Sequence, residues 1–184
     1  GSNDVPDEWL GDTPHAALVG KIAGKDLSVA PSDEDAAKLG VLYCERNYVV
    51  PDAEDESTFG DGILEKVEIK YNFFFEEVQA EFQLELANED LRGLIGETLE
   101  IGETTGVAAK ISLSDADETE YEGEAVSGTV QLELLSGTPG EDGLLIPDQT
   151  GEYGAYVDVE FADGGFLRGS FTTRCGDNDI ETAE

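Results

Sequence analysis

Two runs of strict alternation near the C-terminus constrain this chain most. Ala155, Val157, Val159 and Phe161 alternate with Tyr156, Asp158 and Glu160; Leu167, Gly169, Phe171, Thr173 and Cys175 alternate with Arg168, Ser170, Thr172 and Arg174. A period of two sends successive side chains to opposite faces of a strand, whereas a helix would scatter these apolar residues around its circumference. Between the runs stands Ala162-Asp163-Gly164-Gly165, and Asp-Gly is a preferred pair for a tight type I′ hairpin turn. The segment predicts an antiparallel hairpin with one apolar face, on which Cys175 lies.

The same signal recurs upstream. Leu18, Gly20 and Ile22 form one side of a first run, Leu27 and Val29 continue after a turn, and Val41 to Val50 reads as a strand carrying Cys44. Val67, Ile69, Tyr71, Phe73 and Phe75 hold odd positions, while Val78, Ala80, Phe82, Leu84 and Leu86 hold even ones, so a bulge or tight turn is expected at Glu76-Glu77. Val107, Ala109, Ile111 and Leu113, then Val130, Leu132 and Leu134, add further strands. One short helix is expected between Pro31 and Gly40, with Ser32 as its N-cap. At 184 residues the chain suits one domain. The expected fold is all-β: a single antiparallel β-sandwich, jelly-roll-like or a flattened barrel, of about eight to ten strands. Residues 1–14 read as a tether opening on the cloning remnant Gly1-Ser2, residues 15–176 as the β-sandwich, and residues 177–184 as a frayed acidic tail.

Charge limits the partners. Against 43 Asp and Glu stand 10 Lys and Arg, a formal net charge of −33. That field repels phosphate backbones and anionic lipid, so no nucleic acid is expected as a partner. No apolar run approaches the length of a membrane-spanning helix, so no direct insertion in a membrane is expected. The acidity is either a solvated coat suited to salty surroundings or a means of collecting divalent cations or a basic partner.

The two cysteines suit an oxidising compartment if paired and a reducing one if not. A Cys44–Cys175 bond would close most of the chain into one loop, worth roughly 4–5 kcal/mol in the chain-entropy model. Two buried thiols are the alternative. A redox-active pair is disfavoured, because no C-x-x-C spacing is present.

Catalytic candidates are few. His15 is the one histidine, and no G-x-S-x-G elbow exists. Asp115, Asp117 and Thr119 occupy the first, third and fifth places of an EF-hand-like loop. Glu120 then stands where Gly is needed, and Val126 where the bidentate Glu belongs, so this is not an EF-hand. Asp52 with Glu54, and Asp177 with Asp179, are further oxygen clusters that could take Ca²⁺; no other cofactor is expected. Tyr43, Tyr48, Tyr153 and Tyr156 lie near loops or on polar phases, where they could form an amphipathic patch for a partner.

The closing sequence Val157-Asp-Val-Glu-Phe-Ala-Asp-Gly-Gly-Phe-Leu-Arg-Gly-Ser-Phe-Thr-Thr-Arg-Cys175, with Ser127-Gly-Thr-Val130 before it, resembles the final strands of small secreted β-sandwich lipoproteins of Gram-negative bacteria. The likeness covers Ser127 to Cys175. It implies an extracellular, periplasmic or outer-membrane-anchored setting and a disulfide, and it supplies no catalytic residues. The expected function is a non-catalytic surface module that binds a protein or glycan. A calcium-stabilised structural or adhesion domain is the second reading, and a carboxylate-based hydrolase the third.

Overall fold

The computed structural model describes residues 15–29, 41–75, 78–87, 91–94, 96–102, 105–115, 118–136, 151–175 and 177–184. They form eleven strands: β1 (His15–Ile22), β2 (Lys25–Val29), β3 (Val41–Val50), β4 (Ile63–Phe75), β5 (Val78–Ala87), β6 (Thr98–Glu100), β7 (Val107–Asp115), β8 (Glu118–Ser136), β9 (Gly151–Phe161), β10 (Phe166–Cys175) and β11 (Asp177–Thr182). The helical turns among these residues are two short 3-10 segments, Glu56–Asp61 and Leu91–Leu94. The all-β expectation therefore holds. The expected tether (1–14) and the expected helix (31–40) lie outside the described residues.

The strands make one continuous sheet in the order β11-β3-β4-β5-β7-β8-β9-β10-β1-β2, with β6 beside β8. Among the described residues every pairing is antiparallel except β11 with β3, which is parallel, so the sheet is mixed rather than purely antiparallel. The change of phase expected at residues 76–77 marks a hairpin, since β4 and β5 pair from Phe75↔Val78 outward.

Alternation sets what is buried. Cys44, Arg46, Tyr48 and Val50 of β3 face inward, as do Val67, Ile69, Tyr71 and Phe73 of β4 and Phe82, Leu84 and Leu86 of β5. From the other arm Leu18, Ile22, Val130, Val157, Val159 and Leu167 join the same apolar cluster. One core thus draws on both arms of one sheet.

β8 makes this possible. Its first half pairs with β7 up to Lys110↔Glu124, and its second half pairs with β9 on one side and β6 on the other. Between the halves the β8–β9 register slips at Ala125/Ser127, leaving Val126 61 % exposed. Gly128 follows at φ +122°, where a Cβ would overlap the Asp158 carbonyl oxygen and meet Val159 Cα at 2.6 Å. A bulge next to a positive-φ glycine bends and twists a strand. The corner stands where β8 passes from the β7 arm of the sheet to the β9 arm.

Two local expectations change. The β9–β10 turn is not type I′, which needs left-handed backbone at both central residues. The Gly164 N–H donates to the Phe161 carbonyl at 3.0 Å, so the central residues are Ala162 and Asp163, neither left-handed, and the left-handed Gly164 (φ +88°) follows them. The Asp163 carboxylate also accepts the Gly165 N–H at 2.9 Å, adding a side-chain bond to the backbone bonds between Phe161 and Gly165. The left-handed pair occurs at Ala23-Gly24, between β1 and β2. Residues 177–182, expected to fray, form β11. Ile180 packs against the core, the Ala183 N–H donates to the Val50 carbonyl at 2.8 Å, and Thr182 Oγ1 accepts from the Ala53 N–H at 2.9 Å. Asn178, Ile180 and Thr182 alternate with acids, and a six-residue run with one apolar side chain is easily taken for a polar tail.

Cys44 is buried and disulfide-bonded, and Cys175 is the other cysteine of the sequence.

Replacing Gly128 by Ala should cost roughly 2–4 kcal/mol, from backbone strain plus overlap with β9. Gly164→Ala, at a left-handed position with open space around it, should cost about 1 kcal/mol. Urea midpoints at constant m-value measure both; equal losses would mean that the corner is not tight.

Candidate binding groove on the outer face

The polar phase of the β3-β4-β5-β7-β8 arm faces outward. Register aligns it in rows across the strands: Glu45, Glu68 and Glu85; Tyr43, Lys70, Gln83, Lys110 and Glu124; Asn72, Glu81, Ser112 and Glu122. Directly opposed residues on one face lie close enough to interact.

This face has an ion-paired region and a hollowed one. In the first, Lys66 bridges Glu68 and Glu85, each at 3.6 Å, and Lys70 reaches Glu68 at 3.3 Å. These lysines relieve a row of like charges. In the second, adjoining hollows of about 170 and 450 Å³ share Glu81 and Ser112. Asn72, Gln79 and Ser114 line the smaller; Gln83, Lys110, Glu122 and Glu124 line the larger. Among the described residues, these side chains make no hydrogen bond or ion pair. The groove arises because Ser112 is small where its neighbours in the row, Glu81 and Glu122, are long. Its floor is rigid: Glu81 stands between buried Ala80 and Phe82, and Ser112 between buried Ile111 and Leu113. The groups can donate and accept hydrogen bonds from a fixed backbone, and among the described residues none is held by the protein itself.

Tyr121, three residues before the groove-lining Glu124, ties β8 to the β9–β10 turn. Its hydroxyl donates to Asp163 Oδ2 at 2.8 Å, while its ring lies against Gly123. Burial, then the bond and charge of Asp163, push the Tyr121 hydroxyl up to about 12. Asp163 is held below the usual carboxylate range by the Gly165 N–H, then by Tyr121.

The residues singled out in the sequence are spread widely. Tyr43 is half-buried on the outer face, donating to Glu45 Oε2 at 3.3 Å. Tyr48 is fully buried, because it shares the inward phase of β3 with Cys44 and Val50; it belongs to the core, not to a surface patch. Tyr156 is half-buried on the opposite arm between Gln131 and Ser170, and the Tyr153 side chain lies outside the described residues. Tyr43, Tyr48 and Tyr156 do not form one patch.

The expected cation loop is a hairpin. Asp115 of β7 pairs with Glu118 of β8. Asp117 and the Thr119 side chain lie outside the described residues. Asp52 Oδ1 accepts the Glu54 N–H at 3.0 Å, and Asp55 Oδ1 accepts both the Ser57 N–H and hydroxyl, so these carboxylates shape their own loop. Glu54 is exposed, as is Asp179; the Asp177 side chain is outside the described residues. No three His, Cys, Asp or Glu side chains among the described residues converge as a metal site.

Sequence reasoning missed the groove and Arg46. Arg46 is fully buried beside the Tyr48 ring, its guanidinium carbon 5.5 Å from the ring centroid. Its place in phase with Cys44, Tyr48 and Val50 was the available signal. For the groove the signal was the uncharged polar set Asn72, Gln79, Gln83, Ser112 and Ser114 within an otherwise Glu-rich phase. No protein-family model, curated protein or solved structure matches the chain.

Ultraviolet titration should find a tyrosine step near pH 12 from Tyr121; Tyr121→Phe should remove that step, and Asp163→Asn should lower it only to an intermediate value, since burial is the larger cause. The Tyr121–Asp163 contribution to stability should be complete between about pH 4 and pH 10, the ordinary values of the two groups. It should fade as pH falls through the lowered Asp163 value, and again as pH rises toward 12. A wild-type minus Tyr121→Phe difference that stays flat below pH 4 would contradict the bond.

Proposed function

We propose that this protein is a non-catalytic glycan-binding module whose ligand lies in the groove over β4, β5, β7 and β8. One observation carries the reading: a set of amides, hydroxyls and carboxylates stands unpartnered on core-backed strands. Saccharide hydroxyls both donate and accept, so they match Asn72, Gln79, Gln83 and Ser112, which do the same, and Glu81 and Glu122, which accept. A protein partner fits less well, since the centre of a protein interface is apolar and poor in charge. Val126 is the large apolar side chain that stands exposed among the described residues, and it sits at the β8 bulge, off the groove.

The setting we propose is extracellular, periplasmic or outer-membrane-anchored, with Cys44 joined to Cys175. The oxidised, buried state of Cys44 supports an oxidising compartment. The unreduced protein should show no free thiol, even when denatured, and reduction should lower its urea midpoint. A titre of two thiols per chain in protein purified without reductant would overturn the pairing.

Calorimetry against a panel of soluble neutral and amine-bearing oligosaccharides tests the binding reading. At least one should bind; Ser112→Tyr, which fills the groove, should weaken it by roughly tenfold or more, about 1.4 kcal/mol. Glu85→Gln, in the ion-paired region of the face, should leave it unchanged. If no oligosaccharide binds the folded wild-type protein, or if Ser112→Tyr binds as well as wild type, the glycan reading fails.

A further inference from the structure

The groove's two hollows differ in chemistry. The smaller is lined by Asn72, Gln79 and Ser114, all uncharged; the larger adds Glu122, Glu124 and Lys110, and both contain Glu81. We propose that the groove reads two consecutive saccharide units, a neutral one over the smaller hollow and one bearing a protonated amine over the larger. This rests on the glycan reading above.

The register carries the argument. Lys110 stands directly opposite Glu124 across β7 and β8, so one ammonium faces one carboxylate. Glu81 and Glu122 flank Ser112 in a single row and have no such counterpart. Among the described residues neither makes an ion pair, although Lys66 and Lys70 pair with Glu68 and Glu85 in the adjoining region of the face. Strand spacing puts the Cα atoms of Glu81 and Glu122 roughly 10 Å apart, a gap that two glutamate side chains can close around one ammonium. The Ser112 hydroxyl lies between them and can accept the third ammonium proton. A uronate or sulfated unit would set its charge against three carboxylates and one lysine. An N-acetylated unit would keep its hydroxyl contacts but lose the charge. The groove therefore discriminates by charge at one unit and by hydrogen bonding at the other.

A chain of net charge −33 attracts any cation to some degree, so the test separates local selection from the general field. Calorimetry at about pH 6 in roughly 150 mM NaCl, near physiological screening, would compare three oligomers of equal length: glucosamine, N-acetylglucosamine and a uronic acid. The free-amine oligomer should bind about fivefold tighter than the acetylated one, the scale of one partly exposed ion pair, and the uronate oligomer should not bind. Glu122→Gln and Glu81→Gln should bring the amine-to-acetyl ratio toward one while retaining acetylated binding. Glu65→Gln and Glu97→Gln, exposed acids outside the groove, should leave the ratio unchanged, and thermal melts confirm that each variant is folded. A wild-type ratio of one, or an equal loss in the remote variants, overturns amine selection and leaves the glycan reading standing. If none of the three oligomers binds, the amine proposal falls. If the neutral panel also shows no binding, the glycan reading falls with it.

Discussion

The corner in β8 is the constraint on which the other features rest. A ten-strand path lying flat with nothing packed on it would expose both of its faces along its whole length, and Phe82, Leu84, Val157 and Val159 could not share one buried cluster. Residues of both arms share one apolar cluster, and the slip at Ala125/Ser127 and the left-handed backbone at Gly128 mark where β8 passes from one arm to the other. The outward phase of the β4–β8 arm is then free of any packing duty. The groove exists because the core is satisfied elsewhere.

Electrostatics is the second constraint, and its role is to permit rather than to hold. Exposed ion pairs contribute about 0–1 kcal/mol each, so Lys66, Lys70 and Arg168 do not account for the stability of this fold. Their placement is still informative. Lys66 and Lys70 sit beside the row Glu45, Glu68, Glu85, where three carboxylates on adjacent strands would otherwise repel at close range. Arg168 does the same for Asp158 at 3.3 Å on the opposite arm. Glu81 and Glu122 are separated by Ser112 rather than opposed directly, so their repulsion is weaker and no lysine is needed between them.

The strands were legible because burial on one face writes a period of two into the sequence, and Val67 to Phe73 or Val107 to Leu113 show it without interruption. β11 was not, because a parallel edge strand needs only Ile180 on the core side. The β7–β8 hairpin was hidden for a related reason. Asp115 and Glu118 look like loop residues, yet an edge-facing acid costs nothing in a strand whose backbone is paired. Tyr48 and Arg46 show the limit of reading residue type without phase. Both are polar enough to suggest a surface, and both follow Cys44 inward at steps of two. The groove lay beyond the sequence because it depends on which positions of four strands fall into one row, and register is a property of pairing.

Position also explains why unpartnered side chains in the groove are tolerated. They remain in contact with water, so they carry none of the penalty of a buried polar group. Ser170 and Thr172 mark the contrast: their hydroxyls are buried on β10 with no hydrogen-bond partner among the described residues, a state that destabilises. In the groove the backbone is fixed by Ala80, Phe82, Ile111 and Leu113 beneath it, so a ligand would order only a few side-chain torsions on arrival. Low ordering cost lets weak individual hydrogen bonds add up to measurable affinity. It also makes selectivity sensitive to single residues, because a rigid floor cannot shift to replace a contact that a substitution has removed.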